Sequence, residues 1–284
     1  MNDKTPEPDA PSVVEPRIAA PEPLMLNIDR ALRGPLTQMQ ASIRGLGRIY
    51  LDDDVLMSPR QRDVAAREIA RLKQIAFRYL RLSNNIRDMA RFQRGEDVIE
   101  PRWINFSALC EQVQEQAGLA ARPDSVLLQT PETPVWLNGD AAQLERVLYN
   151  LIANALLSRD GEEPVRCVLA ADGRRASLRV EGGRGIPDHI LGQYDIYGQE
   201  PDLDGPPDAG LSLGLPLCKY IMERHQGVLL PASGRPSAVT MALPLGEPDP
   251  DESHMLFQPM AEPGFPISHI ELSCLPLGGA LYRE

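Results

Sequence analysis

No run of about 18 apolar residues, the length that crosses a bilayer as a helix, occurs in the 284-residue chain. The N-terminus, "MNDKTPEPDAPSVVEPRIAAPEP", is acidic and proline-rich, whereas a secretory leader is basic and then apolar. Neither a membrane span nor a signal peptide is expected. The four cysteines, Cys110, Cys167, Cys218 and Cys274, lie far apart and form no CxxC pair, which argues against a zinc clamp and a disulfide framework. A reduced, cytoplasmic chain is the expectation. Excess positive charge is missing too: the formal net charge is -11 and the pI near 5.0, which argues against general binding to nucleic acid or anionic membranes. The 43% of hydrophobic residues is enough to build a packed core.

Residues 1–23 have few large apolar groups and read as a disordered acidic tail. From Ile28, apolar residues recur in steps of four and three through Leu32, Leu36, Met39, Ile43, Leu46 and Tyr50, a helical seam. After the break "LDDDVLMSPRQ", Ser58 supplies an N-cap and Pro59 the first helical position of a second helix. Its seam runs Ile69, Leu72, Ala76, Tyr79, Ser83, Ile86 and Ala90, widened by Ile75, Leu82 and Met89. Two helices with wide seams suggest a hairpin over 24–95 that pairs with a second copy as a four-helix bundle.

That hairpin carries Arg30, Arg33, Arg78, Arg81, Arg87, Arg91 and Arg94 against few acids. Such a face is either solvated, its arginine stems covering the seam, or a docking surface for an acidic partner, the chain's own acidic C-terminal half included.

After Gly95 the pattern changes. "EPRWINFSALCEQVQEQAG" reads as a strand into a helix capped near Ser107, "VLLQTPETPVWLNGD" as two short strands, and "AAQLERVLYNLIANALLSR" as a helix burying Leu144, Val147, Leu148, Leu151 and Ile152. "VRCVLAADG" and "RASLRVEGG" alternate as strands around Asp172-Gly173, "GLSLGLPLCKYIMERHQG" is a glycine-opened helix, and "SAVTMALPLG" a last strand. The expected class is α+β: the helical hairpin, then over 96–246 a sandwich with helices on one face of a mixed sheet. Residues 247–284 form an extension, acidic at first, whose "PISHIELSCLPLGGALY" is read as an added strand.

This order of pieces, from about residue 28 to about 246, resembles the catalytic core of two-component sensor histidine kinases, in which a dimerising hairpin carries a phosphorylatable histidine and a GHKL-type domain binds ATP. "DAAQLERVLYNLIANAL" resembles the asparagine box, with Asn150 and Asn154 on one helix face; the resemblance assigns both to nucleotide binding and Asn154 to magnesium. Leu157 stands where the family usually has a phosphate-contacting lysine. "VEGGRGIPDHI" resembles the first glycine box, with Gly183 and Gly185 kept. Counting back from them puts Glu181 in the place of the adenine-binding aspartate; counting along the strand, the aspartate is deleted. "DAGLSLGLPLCKYIMERHQG" resembles the second glycine box, with Gly210 and Gly214 kept and Ser212 in the middle place. Gly234 fits the closing glycine box, where Pro236 replaces the second glycine. The intervening lid, "GQEPDLDGPPDAG", has no lysine or arginine and four acids, which repel a triphosphate.

"RALRGPLT", residues 30–37, resembles the histidine box, usually His-Glu-Leu-Arg-Thr-Pro-Leu-Thr, with Leu32, Arg33, Pro35, Leu36 and Thr37 kept. Arg30 takes the place of the histidine. An imidazole nitrogen can attack a γ-phosphoryl group, but a protonated guanidinium has no lone pair to offer. The four histidines, His189, His225, His254 and His269, all lie outside the hairpin, and His225 at a helix end reads as structural.

The resemblance therefore implies a degenerate member: a cytoplasmic homodimer through 24–95, a pseudokinase whose binding of ATP and Mg is weak or lost, acting by contact with a response regulator or a true histidine kinase. The enzymatic alternative is an active ATP-dependent kinase of another protein, using Asn150, Asn154, Glu181, Gly183, Gly185, Gly210 and Gly214. A phosphotransfer hub needs a hairpin histidine, and a DNA-binding helical protein needs a stronger positive field than this composition gives.

Overall fold

The structure is a computed structural model that describes residues 43–44, 59–96, 99–159, 161–182, 211–232, 238–246 and 265–275. Arg30, the remainder of the first hairpin helix, the lid, and Gly183, Gly185, Gly210, Gly234 and Pro236 lie outside the described residues. Helix α1 spans Pro59–Gln93. Residues 43 and 44 are helical, and Ile43 forms a buried cluster with Ile69 and Ala76 of α1. The two seams thus meet where both are described.

Strand β1 (Arg102–Asn105) leads directly into α2 (Phe106–Ala120). The cap is Asn105, whose side chain accepts from the Ala108 N–H at 3.1 Å. The expected cap, Ser107, is instead buried, and its Oγ accepts from the Val135 N–H at 3.1 Å. Both residue types cap well, so composition alone did not choose between them. Strands β2 (Val126–Gln129) and β3 (Trp136–Gly139) precede α3 (Ala141–Ser158), which Asp140 caps by accepting from the Gln143 N–H at 3.1 Å.

Then follow β4 (Val165–Ala171), β5 (Arg175–Glu181), α4 (Leu211–Arg224), β6 (Val228–Ala232) and β7 (Ala238–Pro244). β1 and β3 form an antiparallel pair, and the main sheet runs β2-β4-β5-β7-β6, with β2 parallel to β4 and every other pairing antiparallel. The sheet is mixed, as the pattern of hairpins and helices required.

Strand alternation sets its two faces. Val165, Cys167 and Leu169 of β4 and Ala176, Leu178 and Val180 of β5 are buried under the helices, where they join Leu144, Val147, Leu148 and Leu151 of α3 and Leu217, Ile221 and Met222 of α4 in one core. Each large aliphatic side chain withdrawn from water there stabilises by roughly 1.5–3 kcal/mol. The four cysteines are free thiols.

The extension departs from expectation. Residues Ile267–Glu271 form a short helix, α5, continued by a 3-10 turn over Leu272–Cys274, and among the described residues of the extension no strand forms. Leu272 and Leu275 are buried in the main core, so the segment answers a helical demand set by α1, α2 and α3 that local sequence does not display.

Candidate functional site

The 3.6-residue period of α3 places Asn150 and Asn154 on one face, as their spacing required. Their surroundings differ. Asn150 is fully buried and its amide is engaged at both ends: Oδ1 accepts from Arg81 Nη2 at 2.6 Å, while Nδ2 donates to the Arg146 carbonyl at 3.0 Å and to Glu271 Oε2 at 2.9 Å. Asn154 is half-buried, and its Nδ2 is buried without a hydrogen-bond partner. Its neighbour in the phosphate-contact position, Leu157, is exposed and offers no charge.

Gly214 closes the first turn of α4 and backs directly onto Asn150; a Cβ there would stand 2.6 Å from Asn150 Oδ1. This close approach explains the glycine better than any turn, because the residue is helical. Pro216 follows inside the same helix. Glu181 ends β5 on the face opposite Val180, away from the helical layer, and its Oε1 accepts from Arg179 Nε at 2.5 Å. Its carboxylate and the two asparagines therefore do not converge.

Around Asn150 the structure builds a polar cluster that sequence reasoning did not single out. Glu271 Oε2 accepts from Arg81 Nε at 2.8 Å and Oε1 from Arg146 Nε at 2.9 Å. Arg146 also donates to Asn85 Oδ1 at 2.5 Å and pairs with Asp88. Burial alone would lower the Arg146 pKa, but Glu271 and Asp88 outweigh it and hold the guanidinium above its ordinary value. Two buried cations are thus matched by two carboxylates, one of them from the C-terminal extension. The available signal was the arginine-rich, acid-poor second hairpin helix, which called for anions from elsewhere.

Immediately before Arg146, Glu145 is buried between α2 and α3. Desolvation pushes its carboxyl up to about 7, against the pull of the Tyr149 hydroxyl and of Gln112, whose amide stands 3.4 Å from Oε1. His225 ends α4 as a structural residue: Nε2 accepts from the Asp140 N–H at 2.9 Å, so Nδ1, 2.7 Å from the Ile221 carbonyl, carries the proton. His269 packs its ring against Phe77. No group of three or more potential metal ligands occurs among the described residues. For a magnesium nucleotide the described fit is partial, since Asn154 keeps an unengaged amide nitrogen while Asn150 is committed to protein partners.

Fold and asparagine helix together define the class: residues 139–247 match the family of histidine kinase-, DNA gyrase B-, and HSP90-like ATPases. Within that class the chain has a catalytic core of the histidine-kinase type. It is 24% identical over 224 residues to the sensor protein kinase WalK of Staphylococcus epidermidis, covering 77% of this chain and 35% of that protein. To the alginate biosynthesis sensor protein KinB of Pseudomonas aeruginosa it is 30% identical over 228 residues, 78% of this chain and 36% of that one. The chain spans about a third of the length of these curated relatives. Full-length ShkA, solved in complex with AMPPNP, superposes with a TM-score of 0.53 at 18% identity, over 79% of this chain and 46% of that one, and shares the fold.

Proposed function

We propose that the protein is a pseudokinase of two-component signalling. In this reading it is a cytoplasmic homodimer through residues 24–95 that acts by contact on a response regulator or on a true histidine kinase, with ATP and magnesium bound weakly or not at all. The observation that carries it is the engagement of Asn150, whose amide is bonded to Arg81, Arg146 and Glu271 where the family resemblance assigns it to nucleotide. Arg30 in the histidine position, uncharged Leu157 and the outward Glu181 agree.

The dimer is supported by α1 itself: Leu72, Tyr79 and Leu82 repeat at heptad-like spacing and are 37%, 45% and 38% exposed, an apolar stripe that a second copy would cover. Among the described residues no helix is long and apolar enough to cross a membrane.

A second reading, an active ATP-dependent kinase of another protein, is favoured by Asn154, whose buried, unpartnered Nδ2 leaves a polar group at the site for a ligand. Calorimetric titration with magnesium-ATP separates the two. The pseudokinase reading expects no saturable heat up to millimolar nucleotide and no autophosphorylation, in the wild type or in Arg30→His. Micromolar, magnesium-dependent binding establishes the kinase reading in its place.

A further inference from the structure

The extension is seated as a ligand would be. From α1, Arg78 Nε donates to the Ser273 carbonyl at 2.7 Å and Nη2 to the Cys274 carbonyl at 3.3 Å, while the Gln74 amide donates to the Leu275 carbonyl. These donors satisfy the carbonyls that end the short helical segment, where a cation is favoured. Phe265 meets Phe77 edge-on with ring centroids 5.3 Å apart, and the Arg44 guanidinium of the first hairpin helix lies 5.8 Å from its ring centre. Leu272 and Leu275 fill the core beneath. One short segment thereby touches the hairpin and the asparagine helix at once.

Its one carboxylate bridges them. Arg81 belongs to the hairpin and Arg146 to the sandwich, and Glu271 gives one oxygen to each. Asp88 pairs with Arg146, so among the described partners Arg81 depends on Glu271 for its counter-charge; its remaining bond is to the neutral amide of Asn150. A buried ion pair that loses one partner leaves an uncompensated charge, which is relieved by regaining water. Here regaining water means separating the hairpin helix from the sandwich.

We propose that the joint between hairpin and sandwich is a carboxylate-binding site whose resident ligand is the chain's own Glu271, and that residues 265–275 act as a latch. Seated, the latch holds α1 on α3 and keeps Asn150 engaged. Withdrawn, it leaves Arg81 buried without an anion, and the two parts come apart. The proposal is independent of whether nucleotide binds.

Hydrogen exchange on the full-length chain tests it. Glu271→Ala, and Glu271→Gln, which keeps the shape but not the charge, are expected to speed exchange at least tenfold in residues 265–275 and 74–90, with β4, β5 and β7 within twofold of wild type. Adding Arg81→Met to Glu271→Ala removes the orphaned charge and is expected to return α1 to within about threefold of wild type. The latch is overturned if either Glu271 variant leaves α1 within twofold of wild type. It is equally overturned if the sheet loses protection together with α1, or if Arg81→Met fails to restore it, since the segment is then ordinary core packing.

Discussion

Glu145 shows how far one residue's environment departs from its composition. The carboxyl is held up at about 7, above its ordinary 4.5, so the folded protein binds its proton more tightly than the unfolded chain does. Stability from this group is therefore present at low pH and lost as pH rises from about 4.5 through about 7. Glu145→Gln is expected to raise unfolding free energy by on the order of 1–3 kcal/mol at pH 8 and to gain little at pH 5. Denaturant melts at the two pH values check it. Gly214 makes the opposite point, since alanine favours a helix interior but here meets Asn150. Gly214→Ala should cost about 1–3 kcal/mol through overpacking, against the few tenths to 1 kcal/mol gained in propensity. A lower melting temperature confirms the clash, and a higher one refutes it.

At the scale of elements, legibility followed the reach of the interactions. Helix α3 was readable because Leu144, Val147, Leu148 and Leu151 repeat at the helical period and are buried. The β4–β5 hairpin was readable because Asp172 closes its turn, accepting from the N–H groups of Arg174 and Arg175 at 3.1 and 2.8 Å. Residues 267–274 of the extension were misread as part of a strand because their helical seat is built by residues about two hundred positions earlier, Gln74 and Arg78 among them. The pairing of Asn150 and Asn154 on one helix face was legible from their spacing, and the polar cluster around Asn150 was not, since it needs Glu271 from the extension. Helix α1 also carries a prediction of its own. Replacing Leu72 and Tyr79 together with aspartate removes two apolar anchors from the outward stripe, each worth roughly 1.5 kcal/mol or more. In the proposed homodimer the dissociation constant should rise on the order of a hundredfold. Sedimentation equilibrium checks it, and an unchanged mass excludes this face as the dimer contact.

For the whole molecule, the sandwich and the hairpin share one hydrophobic core, with Phe77 of α1 and Leu272 of the extension in the same cluster as Leu148 and Met241. Phe92 of α1 stacks on Tyr220 of α4 at 3.9 Å between ring centroids. The family resemblance read from sequence treated hairpin and ATPase domain as successive pieces; the packing joins the second hairpin helix and the sandwich through one core. That integration is what distinguishes this chain from the sum of its boxes.

The contact between Arg81 and Glu271 spans 190 residues of sequence. During synthesis the hairpin and the asparagine helix leave the ribosome long before residue 271 exists, at a rate on the order of ten residues per second. For that interval, well over ten seconds, Arg81 has no anion and the nascent joint stays open to solvent or to a chaperone. In the proposed latch, closure of the joint therefore waits on translation, because the counter-charge of Arg81 is made 190 residues after it.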